Sequence, residues 1–220
     1  KRYLACDGET PPRALFCVAC AAMVHRLGPP ECAACGAPLP VARRCASCTD
    51  PDFPIRAARA WAAYHRATAS PVATTIAHFK YGGAHRLGRR LATVLLSRVP
   101  DPTVALVLPV PLYGRRLRER GFNQSAVLAR HLARRLGCRV ALSTVVRTRD
   151  TPSQVGLGVA ERARNVAAAF AVPMPSRIQG RTVLVVDDVW TSGATACAVA
   201  PALRAARAAA VDVRTIARVL

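Results

Sequence analysis

Lysine is almost missing from this chain. Thirty arginines stand against Lys1 and Lys80 alone. No Gly-x-x-x-x-Gly-Lys-Ser/Thr loop can therefore be found in it, which excludes nucleotide chemistry of the Walker type. Carboxylates are scarce as well. The 12 acidic residues face 32 basic ones for a net charge of +20, a balance that attracts phosphate-bearing partners without sequence preference. Arginine-rich codon usage is the competing source of that charge. Aromatic residues reach only 5%, which lends little support to a platform that stacks the bases of a single strand. No apolar stretch approaches a membrane span and the first residues do not look like a secretory signal, so the expected setting is cytoplasmic and reducing.

Against these shortages, cysteine is concentrated. Seven of the nine fall within residues 1–48, as Cys17-Val-Ala-Cys20, Cys32-Ala-Ala-Cys35 and Cys45-Ala-Ser-Cys48, with Cys6 alone. The Cys-x-x-Cys spacing lets two thiolates grip one tetrahedral ion, and two such pairs complete a site. Three pairs in a segment with few core residues need a folding ion more than they need redox chemistry or disulfides. Cys32, Cys35, Cys45 and Cys48 make one complete ribbon for a structural Zn²⁺. Cys6, Cys17 and Cys20 leave a second site one ligand short, with Tyr3 where a partner of Cys6 belongs and His25 as a candidate filler. Asp50-Pro51-Asp52-Phe53-Pro54 reads as a linker. The chain thus divides into a cysteine module over residues 1–50 and an α/β domain over 55–220, a length with room for one sizeable core. Residues 1–50 hold six basic and four acidic side chains, leaving 26 against eight, or +18, for the rest.

The richest segment is Val183 to Thr195, Val-Leu-Val-Val-Asp-Asp-Val-Trp-Thr-Ser-Gly-Ala-Thr. Val183 to Val186 have no polar side, as in a parallel strand buried on both faces, so function belongs at the carboxyl end. Asp187 and Asp188 sit there and, pointing to opposite sides, can accept hydrogen bonds from two vicinal ribose hydroxyls and from Mg²⁺-bound water. Val189, Trp190, Thr191, Ser192, Gly193, Ala194 and Thr195 follow, ahead of an alanine-rich helix over 196–209. A turn of small residues at a helix N-terminus presents unpaired N–H groups to a phosphate. Together the two halves fit a ribose 5-phosphate. An ordinary N-cap aspartate explains one carboxylate but not two. A phosphoacceptor receiver domain would need roughly a hundred further residues.

Elsewhere the pattern predicts strands over 60–65, 104–110, 139–148, 182–188 and 211–219. It predicts helices over 70–81 and through Leu128, Leu132 and Leu136. Lys80 ends the first helix, where so isolated a lysine reads either as a phosphate ligand or as chance. Arg115, Arg116 and Arg120 surround an expected turn that can cradle a diphosphate by bidentate bonds. Asn123 and Gln124 follow Gly121 and Phe122 in what reads as a shaped turn. The polar stretch 150–165, with Gln154, Leu157, Arg162 and Asn165, suits a flap that closes over substrate, or an inert surface loop.

Residues 183–195 resemble the binding motif for 5-phosphoribosyl 1-diphosphate (PRPP) of the type I phosphoribosyltransferases, with Ser192 where threonine is typical and Trp190 where a smaller residue is usual. The order of cysteine knuckles, Phe79-Lys80-Tyr81, Pro109-Val110-Pro111-Leu112, Arg120-Gly121-Phe122-Asn123-Gln124, Gln154-x-x-Leu157, Arg162-x-x-Asn165 and the Asp-Asp loop is similar to that of the ComF family of competence-associated proteins. The resemblance implies a mostly parallel phosphoribosyltransferase-like sheet with flanking helices behind a double zinc ribbon. It also implies PRPP with Mg²⁺ and a link to uptake of transforming DNA. Tyr3 departs from the double ribbon. Two activities stay open: transfer of 5-phosphoribosyl to an unknown acceptor, or a non-catalytic sensor that engages single-stranded DNA or a DNA-uptake helicase.

Overall fold

The computed structural model describes residues 11, 14–65, 70–82, 86–99, 103–149, 161 and 168–220. Its frame is a five-stranded sheet with the order β1-β7-β6-β2-β3, every neighbouring pair parallel. In chain order the elements are helix α1 (Val18–Ala22), strand β1 (Ala57–Tyr64), helices α2 (Pro71–Tyr81) and α3 (Leu87–Leu96), strand β2 (Leu106–Pro109) and helices α4 (Gly114–Arg120) and α5 (Gln124–Leu136). Strands β3 (Arg139–Val140), β4 (Val146–Arg147), β5 (Phe170–Ala171) and β6 (Thr182–Trp190), helix α6 (Ala194–Ala205) and strand β7 (Ala210–Val219) complete the set.

Burial on both faces explains the apolar run of β6, which lies between β2 and β7. Leu184 and Val186 pack with α2, α3 and α5, whereas Val183 and Val185 pack with α6 and with Cys32, Cys35 and Cys48. Ser70 opens α2 by accepting from the Ala73 N–H at 3.4 Å, with Pro71 in the first turn, so its backbone donors are met from the start. Phe79 and Ile76 then anchor its buried stripe.

Four expectations change. The strand expected over 139–148 is two short pieces in different sheets, because the chain leaves β2 after Ala141 and pairs β4 antiparallel with β5. The arginines expected around a turn instead ride a helix, α4, since Arg, Leu and Glu all favour helix and the break comes only at Gly121. The helix expected over 196–209 spans Ala194–Ala205, and α3 lay outside the expected set.

The cysteine segment covers the edge that β1 would expose. Arg26 bridges Ala62 antiparallel, and the Leu27 and Ala63 N–H groups bond the Trp61 and His25 carbonyls at 2.9 and 2.8 Å. On the other side, Gly36 sits so close to β1 that a Cβ there would lie 2.4 Å from the Ala58 carbonyl oxygen. Glu31 locks the arrangement, taking Arg59 Nε at 2.9 Å and Arg98 Nη2 at 2.6 Å while only 8% exposed. Glu31→Gln leaves two partly buried guanidinium charges without their carboxylate and should cost about 3 kcal/mol, read as a lower midpoint in urea unfolding.

Candidate ribose-phosphate site and cysteine centre

At the carboxyl end of β6 the two carboxylates turn to different partners. Asp188 Oδ2 meets Lys80 Nζ of α2 at 2.8 Å, with side chains 6% and 21% exposed. Asp187 Oδ1 accepts from Ser125 Oγ of α5 at 3.1 Å and from the Asp188 N–H at 2.9 Å. Burial and the adjacent Asp188 charge push the Asp187 carboxyl up to about 7, against the pull of these donors and of Lys80. Burial would lower Lys80, but Asp188 and Asp187 hold its ammonium above the ordinary lysine range.

The Asp187 shift has a sign. A carboxyl that holds its proton longer in the folded chain than in the unfolded one stabilises the fold at low pH, and that stability is lost as pH rises from about 4 to about 7. In magnesium-free buffer, Asp187→Asn should therefore melt higher than the parent at pH 8, the gap closing toward pH 4. Equal melting curves at pH 8 would contradict it.

Beyond Asp188 the strand changes phase. The ladder to β7 skips Asp188. Val189 then packs on the face of Leu184 and Val186, whereas Trp190 packs on that of Val183 and Val185. This delivers the indole under the turn, where Gly193 adopts φ +78° and a Cβ on it would lie 2.4 Å from Trp190 Cζ2. Only glycine meets both conditions. Ser192 Oγ accepts from the Ala194 N–H at 3.4 Å, and the twelve residues of α6 begin there. Asp187, Thr191, Thr195 and the start of α6 line one hollow, floored by Val213 and Thr215 of β7.

The outlying candidates divide. Arg120 lies over the Tyr81 ring, 5.2 Å from its centroid, and donates to its hydroxyl at 3.3 Å, one residue from Lys80. Arg115 is exposed and 3.8 Å from Glu119, and Arg116 is half-buried. Asn123 caps α5: Oδ1 accepts from the Ala126 N–H at 3.2 Å and Nδ2 donates to the Val110 carbonyl at 3.0 Å, tying the end of β2 to that helix. Gln124 is buried beside it, 4% exposed. Gln154, Arg162 and Asn165 lie outside the described residues, as does Cys6. Ser125, Tyr81 and Arg218 were not anticipated. Ser125 directly follows the Gly-Phe-Asn-Gln turn and was the one within reach of local pattern.

The cysteine centre forms as its spacing predicts. The sulfurs of Cys32, Cys35, Cys45 and Cys48 all lie within 4.8 Å of one another, and Cys35 and Cys45 are 3.7 Å apart. Zinc–sulfur bonds of about 2.3 Å in a tetrahedron place sulfurs about 3.8 Å apart, so the cluster fits a zinc ribbon. Cys32 is prepared as a thiolate: burial raises it, but N–H donors from Cys35, Cys45 and Ala34 prevail and bring it to about 6. Among the described residues this is the only such group. Cys17 and Cys20 are buried near Trp61, and His25 lies ring to ring with His65 at 6.1 Å. No helix among the described residues is long and apolar enough to cross a membrane.

Residues 123–219 match the phosphoribosyl transferase domain family. The DNA utilization protein YhgH of Escherichia coli (strain K12) is 38% identical over 159 residues, 69% of each chain. That of Salmonella typhi is 36% identical over 157 residues, 68% of each. Competence protein F of Haemophilus influenzae is 32% identical over 142 residues, 61% of this chain and 62% of that one. Among solved structures, glutamine phosphoribosylpyrophosphate amidotransferase from B. subtilis, complexed with ADP and GMP, aligns over 63% of this chain and 30% of its own at 21% identity, with a TM-score of 0.44. That superposition is too loose to carry weight. Similarity of this extent to YhgH and competence protein F, over a sheet and cysteine cluster of the expected kind, places the chain in the ComF family of competence-associated proteins built on a phosphoribosyltransferase-type domain.

Proposed function

We propose that residues 187–195 bind the ribose 5-phosphate half of PRPP and that a Zn²⁺ ion holds Cys32, Cys35, Cys45 and Cys48. The observation that carries the sugar site is the continuity from two carboxylates at the end of β6 into a left-handed Gly193 that opens α6. Asp187 and Asp188 accept the ribose hydroxyls, and the N–H groups and hydroxyls of Thr191, Ser192 and Thr195 hold the 5-phosphate. Mg²⁺ suits this end of the sheet, since a hard cation takes carboxylate oxygens and would offset the charge that raises Asp187. It would supply charge neutralisation on the diphosphate. Arg120, over the Tyr81 ring next to Lys80, is the cation best placed for the leaving diphosphate, and Arg116 lies half-buried on the same helix.

If transfer occurs, Asp187 is the proton acceptor for the incoming nucleophile. Asp188 already pairs with Lys80 through Oδ2, whereas burial and the Asp188 charge raise Asp187 toward the range of a general base when no cation is bound. Titration with PRPP in the presence and absence of Mg²⁺, followed by a screen of acceptors for diphosphate release, tests both parts.

A nucleic-acid contact is favoured by a second surface. Helices α3 and α5 contain no acidic residue, and a cleft of about 480 Å³ between them is lined by Arg89, Arg90, Thr93 and Arg135. Burial and then Arg134 and Arg89 hold His131 between them below its ordinary value. The phosphate backbone of DNA is the partner this face fits. Binding to a single-stranded oligonucleotide should fall steeply between low and moderate salt, less so in Arg89→Gln/Arg135→Gln. A flat salt response would remove this contact. Reduced thiolates at the cysteine centre suit a cytoplasmic location.

A further inference from the structure

Trp190 is the large side chain of the 187–195 segment with no contact to the sugar phosphate in that reading, and its surroundings assign it another part. Its ring is 6% exposed and packs on Gly193 from below. The guanidinium of Arg218, at the end of β7, lies over the same ring, 5.4 Å from its centroid. The same guanidinium donates through Nη1 to the Cys35 carbonyl at 2.6 Å and through Nη2 to Cys35 Sγ at 3.7 Å. One planar fork thus joins a sulfur of the cysteine centre to the indole under the phosphate turn.

We propose that Arg218 and Trp190 are positioning residues through which the metal state of the cysteine centre sets the ligand affinity of the phosphate turn. This rests on the ribose-phosphate reading of that turn. A metal-bound Cys35 thiolate fixes both acceptors of the fork, as outer-shell donors to metal-bound sulfur generally do, and the fixed guanidinium holds the indole flat against Gly193. Without metal the knuckle loosens, the fork loses its anchor and the indole no longer braces the turn. Linkage makes the effect reciprocal: a sugar phosphate in the turn tightens metal at the centre by the same factor. A lysine at position 218 has a single point of attachment and cannot hold carbonyl, sulfur and ring together.

The test uses the full chain, loaded with zinc, titrated calorimetrically with ribose 5-phosphate. Arg218→Met keeps the aliphatic stem and leaves the four cysteines intact. Metal analysis should find it as fully loaded as the parent, yet with ribose 5-phosphate affinity about tenfold weaker. Arg218→Lys should not restore it. Chelation should weaken the parent by a similar factor and Arg218→Met no further, because the link is already cut. In a Trp61→Phe background, which leaves Trp190 as the remaining tryptophan, chelation should shift the emission, and Arg218→Met should abolish that response. Parent-like affinity in metal-loaded Arg218→Met, or an equal loss on chelation in both proteins, overturns the coupling. No binding by the zinc-loaded parent overturns the sugar-phosphate reading itself, and the coupling with it.

Discussion

Serine at Cys35 or Cys48 should leave the centre without its ion and the chain with a sharply lowered melting temperature, while the second core around Leu91, Leu128, Leu132 and Leu184 keeps the sheet folded in the cold. Structural zinc in small sites contributes about 10–16 kcal/mol of apparent binding free energy near neutral pH, whereas a whole domain retains only about 5–15 kcal/mol of net stability. At working metal concentrations the stabilising part is smaller than the standard-state figure, so loss of the ion removes a large share of that margin rather than all of it. The effect is not confined to the knuckles, because Cys32, Cys35 and Cys48 belong to the same buried cluster as Leu108, Val183 and Leu203. Burial raises Cys48, so without metal its thiol stays protonated in a pocket shaped for a thiolate. Elemental analysis should give one zinc per chain at least in the parent and one fewer in the variants, and chelator should lower the parent's melting temperature sharply. A metal-free parent that melts as one sharp transition, indifferent to chelator, would contradict the zinc assignment.

The second large effect is on the ligand. Asp187→Asn with Asp188→Asn removes two charged acceptors from the ribose, each worth about 1.5–3 kcal/mol as hydrogen bonds to a charged group. Affinity for PRPP should fall on the order of a thousandfold, about 4 kcal/mol. The single variants should separate function from stability. Asp188→Asn breaks the 2.8 Å pair with Lys80 and should also destabilise. Asp187→Asn should weaken binding while raising stability above neutral pH, since it removes a carboxylate the fold ionises reluctantly. Circular dichroism across pH, alongside the titrations, distinguishes these outcomes.

Much of this was legible because short-range rules governed it. The apolar run of β6, the Ser70-Pro71 start of α2 and the two knuckles follow from burial, capping and ligand spacing. Helix α3 escaped notice although Leu87, Leu91 and Leu95 trace a helical stripe, because Gly82 and Gly83 ahead of it and Gly88 within it read as helix breakers. What stayed hidden depends on pairs far apart in sequence. Nothing local shows that Lys80 meets Asp188, that Ser125 meets Asp187, or that Arg218 reaches back 183 residues to Cys35. The phase change after Asp188 was equally invisible, since strict alternation predicts the opposite face for Trp190. Asn123 illustrates the converse: its residue type fits both ligand binding and capping, and its bonds to Val110 and Ala126 show it capping.

Calorimetric titration of the zinc-loaded chain with PRPP and Mg²⁺, run beside the Asp187→Asn/Asp188→Asn variant, tests the central claim most directly. Saturable one-site binding that ribose 5-phosphate competes away, and that the variant loses, is the predicted result. Absence of heat from the folded, zinc-loaded parent, or equal affinity in parent and variant, would contradict it.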